Sequence, residues 1–425
     1  MLDGRLLWEV RRTEGAEAVA KSIARWLRSL LLYAGGSRRH RIASELQGIV
    51  QTGTILGESR MVRAFWSPEH NRLREVEPVV TGTVDYALVA KAVVSPNRRG
   101  GYVLHDRSLF PFRPGLPGIP KLFFQGTSVG QITGQEGATV WVDRRVSSIT
   151  FSRAIFAGSM APHNWFHWTI DNLPNFFASR QLPSEFADWP LLVPEEGLSR
   201  RAWREAFELA IGDRPYIPVA SDQLYSVDRL IVMERITSPS PRLLGDQSVP
   251  RIAVHSQGMR DFGSAVVGRI DAQTKRSAKL LFLTRDDDNV RTYNQEDALS
   301  LAETYGFAPV SLKGVSLVES AAMFQEADAI IGPHGAGWAG LLHAKPGLEV
   351  LFWSWEGTQV DNWYENLAHL SQVSFRRLSY RVDEKSKEFD ESRDPRFSPY
   401  SLKLDVLENE LKLLSKRISS KRVDS

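Results

Sequence analysis

Cysteine is absent from the 425 residues, which removes disulfides, thiolate metal sites and a cysteine nucleophile together. An excess of one charge is missing too: 53 Lys and Arg face 50 Asp and Glu, a formal net charge of +3. A nucleic-acid-binding protein needs a clustered basic surface, so no nucleic-acid partner is expected. No apolar run is long enough to span a bilayer. The start, MLDGRLLWEVRRTEGAEAV, lacks the apolar middle and small-residue cleavage site of a secretory signal. These absences point to a cytoplasmic location. The most membrane-like segment, residues 18–35, reads as a basic amphipathic helix with Ile23, Trp26, Leu27, Leu30 and Leu31 on one side. Packing on its own domain is the ordinary use of such a helix; peripheral contact at the inner face of a membrane is the alternative.

What is present suits a globular chain of two or three domains: 42% apolar and 24% charged residues, with no repeat or low-complexity tract. Residues 1–60 look helical and Arg-rich, an N-terminal extension. Residues 61–245 begin with β-branched runs separated by Gly and Pro and go on to mixed strands and helices, an α/β domain. Thr237 to Pro250, TSPSPRLLGDQSVP, reads as an interdomain linker. From 246 to 385 strands and helices alternate cleanly: LLFLTR, EDALSLAETYG closed by Gly306, APVSL, SLVESAAMFQEA, ADAIIG, AGWAGLLHA and EVLFWSW. Ser316 with Glu319 three residues on is a capping box. This alternation predicts a parallel, doubly wound sheet. Residues 386–425 form a tail whose last helix spaces Leu404, Leu407, Leu411, Leu414 and Ile418 by threes and fours, which fits packing back across the molecule.

Three segments could carry chemistry. In the first, Ala327 to Gly347, an apolar strand runs into Gly332, Pro333, His334, Gly335, Ala336 and Gly337, and a helix follows. Ligands of open α/β sheets sit at such strand ends, where helix-start N–H groups suit a diphosphate and His334 could donate to it. A tight turn with no ligand is the plain alternative. In the second, Arg285 leaves a strand, and Arg291 and Asn294 follow before the next helix. Guanidinium groups placed there could clamp a diphosphate and neutralise a departing one; a solvated charged loop around Asp286, Asp287 and Asp288 is the alternative. The third, APHNWFHWTIDNLPNFF, carries His163, His167 and Asp171 four apart, on one face if helical. Asp171, with His167 as helper or substitute, could take a proton from a sugar hydroxyl, while His163, Asn164, Trp165 and Trp168 shape an acceptor site. Incidental His in an aromatic core helix, or a chelated divalent cation, are the competing readings, and Pro162 and Pro174 argue that His163 lies outside the helix.

Together these segments resemble glycosyltransferase family 61, whose bacterial members are often labelled capsular polysaccharide biosynthesis proteins. The N-[YF]-x-H-W-x-x-D-x-L-P pattern is met by Asn164, His167, Trp168, Asp171, Leu173 and Pro174. The strand ending in Arg285, then Arg291 and Asn294, the S-x-x-E signal of Ser316 and Glu319, and G-P-H-G-A-G from Gly332 come in that order. The resemblance covers about Phe151 to Tyr364. Gln295 stands where the pattern has Glu, and Phe352 where it often has an acidic residue, so a ribose or uracil contact made there is lost or moved. The resemblance implies a GT-B-like α/β fold of two Rossmann-type domains facing a cleft. It implies inverting, metal-independent transfer without a cofactor, from a nucleotide-sugar (UDP-type first) to a glycan or lipid-linked hydroxyl in surface polysaccharide biosynthesis. Glu319 joins the donor-side residues on the same ground. A metal-dependent phosphate-ester hydrolase, or a noncatalytic nucleotide- or sugar-binding partner of a polysaccharide assembly complex, is the rival reading.

Overall fold

Two sheets of different character organise the chain. The computed structural model describes residues 38–43, 48–67, 69–70, 72–75, 81–97, 100–111, 123–124, 127–128, 131–143, 146–158, 160–237, 253–271, 274, 278–286, 291–356, 363–382 and 398–423. The 18–35 helix and the linker beyond Thr237 therefore lie outside the described residues. Within them, no helix is long and apolar enough to cross a membrane.

Among the described residues the first sheet has twelve strands and the second five. Val146–Phe156, Leu191–Pro194 and Tyr216–Val219 run parallel in that order, with helices Leu173–Ala178 and Arg201–Ile211 between them in sequence. Leu224–Met233 then returns parallel to the other side of Val146–Phe156. Beyond it the sheet turns antiparallel: Thr81–Ser95 pairs Leu224–Met233, and Ile49–Val62 pairs Thr81–Ser95. The helical reading of residues 1–60 is thus corrected for its second part, since Arg38–Ile42 and Ile49–Val62 are strands. Their partner strands lie elsewhere in the chain, and sheet pairing outweighs local helix preference.

The second sheet is the one the alternation predicts. Its five strands are all parallel, in the order Ala308–Val310, Leu280–Leu283, Ala329–Pro333, Glu349–Trp355, Ser374–Tyr380. Both faces are covered, and side chains alternate between them with period two. Ile330, Val350 and Phe352 enter one core with Leu317, Phe324 and Trp338. Ile331, Leu351 and Trp353 enter the other, with Ala298, Leu407, Leu411 and Leu414. The C-terminal helix, Leu404–Val423, packs back on this second face. Its last turns are held by Arg417 Nε and Lys421 Nζ, 3.0 and 2.6 Å from the buried Glu349 carboxylate. The segment AGWAGLLHA is a 3-10 helix over Ala336–His343 rather than an α-helix. It is squeezed against the preceding helix, where a Cβ at Gly340 would lie 2.2 Å from the Phe324 ring.

Strand order places the site. Counting along the chain, the sheet runs second, first, third, fourth, fifth, so connections leave in opposite directions from the gap between Leu280–Leu283 and Ala329–Pro333. Ligands of doubly wound sheets bind at the carboxyl ends flanking such a switch point. Arg285 and His334 follow those two strands. One continuous hydrophobic core, including Ile155, Trp168, Phe207, Ile330 and Trp338, joins the two sheets.

Candidate active site

The aromatic segment folds as an interrupted helix. Asn164 caps it, its side chain accepting from the Phe166 N–H at 2.9 Å. One α turn passes into a π-helix over Trp168–Asn172 and back to α at Leu173–Ala178. A π turn inserts a residue and re-aims side chains, which is why such turns gather at functional sites. The Asn172 amide braces it, donating to the carbonyls of His167 and Met160, each at 2.8 Å. His163 lies in the exposed turn ahead of the cap, so the expected three-residue stack shrinks to His167 and Asp171.

Those two meet directly. Asp171 is 2% exposed. One carboxylate oxygen lies 2.8 Å from His167 Nδ1; the other accepts from Arg235 Nη2 at 2.9 Å and Thr237 Oγ1 at 2.5 Å. Arg235 and Thr237 lie just past the carboxyl end of strand Leu224–Met233, and that exit is pinned by Asn175, which accepts from the Ile236 N–H at 2.9 Å. Burial lowers the Arg235 pKa, while the Asp171 charge and hydrogen bond hold it up. A carboxylate so enclosed fixes the imidazole: Nδ1 carries the proton toward Asp171, and Nε2 is left as the acceptor. The His167 side chain is 29% exposed. The exposed face of the pair is therefore histidine, and the carboxylate lies behind it.

The second cluster sits at the switch point. At Gly332 a Cβ would lie 2.8 Å from Leu283 Cβ, so only glycine lets the two strand ends close up. Beyond them, Arg285 Nη1 donates to the His334 carbonyl at 2.9 Å, and Arg291 Nη1 to the same oxygen at 3.3 Å and to His334 Nδ1 at 2.7 Å. A guanidinium only donates, so Nδ1 accepts and the ring proton is on Nε2, 3.4 Å from the Tyr364 hydroxyl, which also donates to the Gly335 carbonyl at 3.2 Å. Burial first, and the Arg285 charge second, lower the Arg291 pKa. Arg285 makes no ion pair among the described residues, and its Nε is buried without a hydrogen-bond partner. Gly335, Ala336 and Gly337 stay partly exposed beside these cations. Two cations converging on one carbonyl form a place for an anion.

Aromatic rings join the clusters. Tyr364 meets His334 edge to face at 5.2 Å and Phe166 at 4.9 Å; Phe166 meets His167 at 5.7 Å; Trp363 packs on His167 at 6.2 Å. Segments far apart in sequence thus form one centre, and Arg235, Thr237 and Tyr364, which no sequence motif singles out, are parts of it. Each lies just past a strand or at a helix start, with no spacing to mark it.

Other expected residues stand elsewhere. Trp168 is fully buried and donates to the Trp203 carbonyl at 3.2 Å, so it belongs to the core, not to an acceptor wall; Trp165 is partly exposed and packs on Trp203. Asn294 faces away from the cations and hydrogen-bonds the Leu402 backbone twice, at 2.8 and 3.1 Å. Glu319 completes the capping box, accepting from the Ser316 N–H at 2.9 Å. Phe352 is 2% exposed, packed against His334 and Tyr364 in the core. Gln295 has its own use: its amide accepts from the Arg285 N–H at 2.7 Å and donates to the Arg285 carbonyl at 3.2 Å, which a carboxylate could not do at both ends.

No curated protein matches the chain. The family model described as Glycosyltransferase 61 matches residues 165–351, a span holding His167, Asp171, Arg235, Arg285, Arg291 and His334 but not Tyr364. Over that stretch, less than half of the 425 residues, the chain is similar to the glycosyltransferases of family 61.

Proposed function

We propose that the protein transfers a sugar from a nucleoside-diphosphate donor, UDP-type first, to a hydroxyl of a glycan or lipid-linked acceptor, with inversion and without a metal. The reading takes the two sheets as the halves of a GT-B-like enzyme acting in surface polysaccharide synthesis at the cytoplasmic side. The observation that carries it is the pair of guanidiniums converging on the His334 carbonyl at the switch point, joined through Tyr364 and Phe166 to the His167–Asp171 pair.

The chemistry rests on charge placement. The acceptor oxygen attacks the anomeric carbon from the side opposite the diphosphate; the new C–O bond forms as the bond to the phosphate oxygen breaks. The acceptor proton passes to His167 Nε2, and Asp171, held by Arg235 and Thr237, stabilises the resulting imidazolium. The electron pair leaves on the diphosphate, whose growing charge meets Arg285 and Arg291 in fixed positions. Asp171 thereby changes from the expected base to the group that orients it. A thermal-shift panel of UDP, GDP, CDP, ADP and CMP, with and without EDTA, tests the reading, since a ligand bound only by the folded state raises the midpoint. One diphosphate is expected to stabilise the protein in EDTA. Stabilisation by divalent metal with no response to any nucleotide would overturn the reading and favour a hydrolase.

A further inference from the structure

Arg291 holds a backbone conformation that a non-glycine residue seldom adopts, with φ of 59°. Such strain persists only where the surroundings over-determine it. The residues just after Arg291 are bound to a segment more than a hundred positions later. The Tyr400 N–H donates to the Thr292 carbonyl at 3.0 Å. The Asn294 side chain accepts from the Leu402 N–H at 2.8 Å and donates to the Leu402 carbonyl at 3.1 Å, a two-point clasp. Between these bonds Tyr400 is stacked on both faces, on Tyr293 at 4.9 Å and 5° and on Tyr380 at 3.6 Å and 9°, and its hydroxyl accepts from Trp353 Nε1 at 3.1 Å. Ser398 and Tyr400 are buried, and Leu402 leads into the C-terminal helix clamped on the sheet.

We propose that residues 398–402 form a strap that sets the anion site: Asn294 and Tyr400 are positioning residues that fix the loop in which Arg291 reaches His334. The inference rests on the proposed diphosphate site at Arg285 and Arg291. It assigns a part in donor binding to a stretch of chain outside the family match. It also accounts for an Asn that faces away from the cations: its amide grips the strap rather than the ligand. Releasing the strap lets Arg291 relax out of its left-handed conformation, so one cation is no longer held ready for the leaving group. Binding weakens and the growing charge of the leaving group loses a fixed cation, so KM rises and kcat falls.

The test is calorimetric titration of the full chain with inorganic pyrophosphate and with UDP, alongside donor kinetics, for wild type, Arg291→Ala, Asn294→Ala, Tyr400→Ala and Tyr400→Phe. Asn294→Ala and Tyr400→Ala are each expected to weaken pyrophosphate and UDP about tenfold, from the loss of roughly two neutral hydrogen bonds or a stacked ring, with KM rising in step and kcat falling. Tyr400→Phe keeps the stack and the backbone bond and should bind within about twofold of wild type. A purely structural role would instead lower the binding stoichiometry and the apparent kcat together, through fewer folded molecules, at unchanged affinity and unchanged KM; that result overturns the strap. If Arg291→Ala loses binding while Asn294→Ala and Tyr400→Ala match wild type, the strap is overturned and the diphosphate site stands. If wild type binds neither probe, both fall.

Discussion

Replacing Asp171 with Asn keeps the side chain's shape and removes its charge, in a place where three donors compete for two oxygens. Arg235 and Thr237 both point at one position, so the amide oxygen must settle there and the NH2 must face His167 Nδ1. The imidazole then accepts at Nδ1 and carries its proton on Nε2, the nitrogen assigned to take the acceptor proton. The base is blocked without being removed. General-base catalysis contributes about 10²–10⁴-fold, so kcat for sugar transfer, measured as an initial rate at saturating donor and acceptor, should fall by that factor in Asp171→Asn. Stability should fall as well, because Arg235 is 7% exposed and breaking a buried pair costs about 3–5 kcal/mol; a circular-dichroism melt reads that loss separately. His167→Ala should lose a similar rate but little stability, its side chain being partly exposed. Groups acting as one unit are not additive, so the double variant should be scarcely slower than either single one. Retention of most of the wild-type kcat by Asp171→Asn would refute the pair as the base. A dead Asp171→Asn beside an active His167→Ala would return that role to the carboxylate.

Three further expectations use other parts of the molecule. Arg285→Ala removes a charge-assisted contact worth about 1.5–3 kcal/mol, so titration should show UDP binding weakened roughly ten- to hundredfold; unchanged affinity would remove Arg285 from the donor site. Gly332→Ala sets a methyl 2.8 Å from Leu283 Cβ and 3.2 Å from its carbonyl oxygen; overpacking of about 1–3 kcal/mol is expected in denaturant unfolding, with weaker UDP binding as the strand ends part. His343 is wholly buried, and burial lowers its pKa to about 4. The native state thus refuses a proton that the unfolded chain accepts below about pH 6.5, so its contribution costs nothing above that pH and falls away as pH drops toward 4, by about 3 kcal/mol in total. His343→Leu should flatten the stability–pH curve in that window; an unchanged curve would show that the imidazole is not what titrates.

Legibility in the sequence tracked how local the determining interactions are. The second sheet could be read because each of its elements announces itself: Gly306 adopts φ of 83° after its helix, and Ser316 with Glu319 makes the capping box its spacing predicts. Leu407, Leu411, Leu414 and Ile418 face the core at their helical period. Residues 49–62 defeat the same reading because their partner strand, 81–95, decides their conformation. The site divides along the same line. His167 and Asp171 are four apart and could be paired by counting. Arg235 reaches Asp171 across 64 positions and Tyr364 reaches His334 across 30, and neither separation has a period to betray it. Trp168, expected in an acceptor wall, lies in the core for a related reason, since an aromatic beside a motif residue points to core or to cleft according to packing that only the fold supplies.

The most direct trial of the central claim is ³¹P NMR of the protein with the nucleotide-sugar whose diphosphate stabilises it, in EDTA and with a hydroxyl acceptor supplied. Scission at the anomeric carbon, with the electron pair received by Arg285 and Arg291, predicts signals of the free nucleoside diphosphate growing in proportion to transferred sugar. Appearance of nucleoside monophosphate and sugar phosphate, or loss of all turnover in EDTA, would instead place the cleavage at phosphorus or require a metal, and would contradict the account.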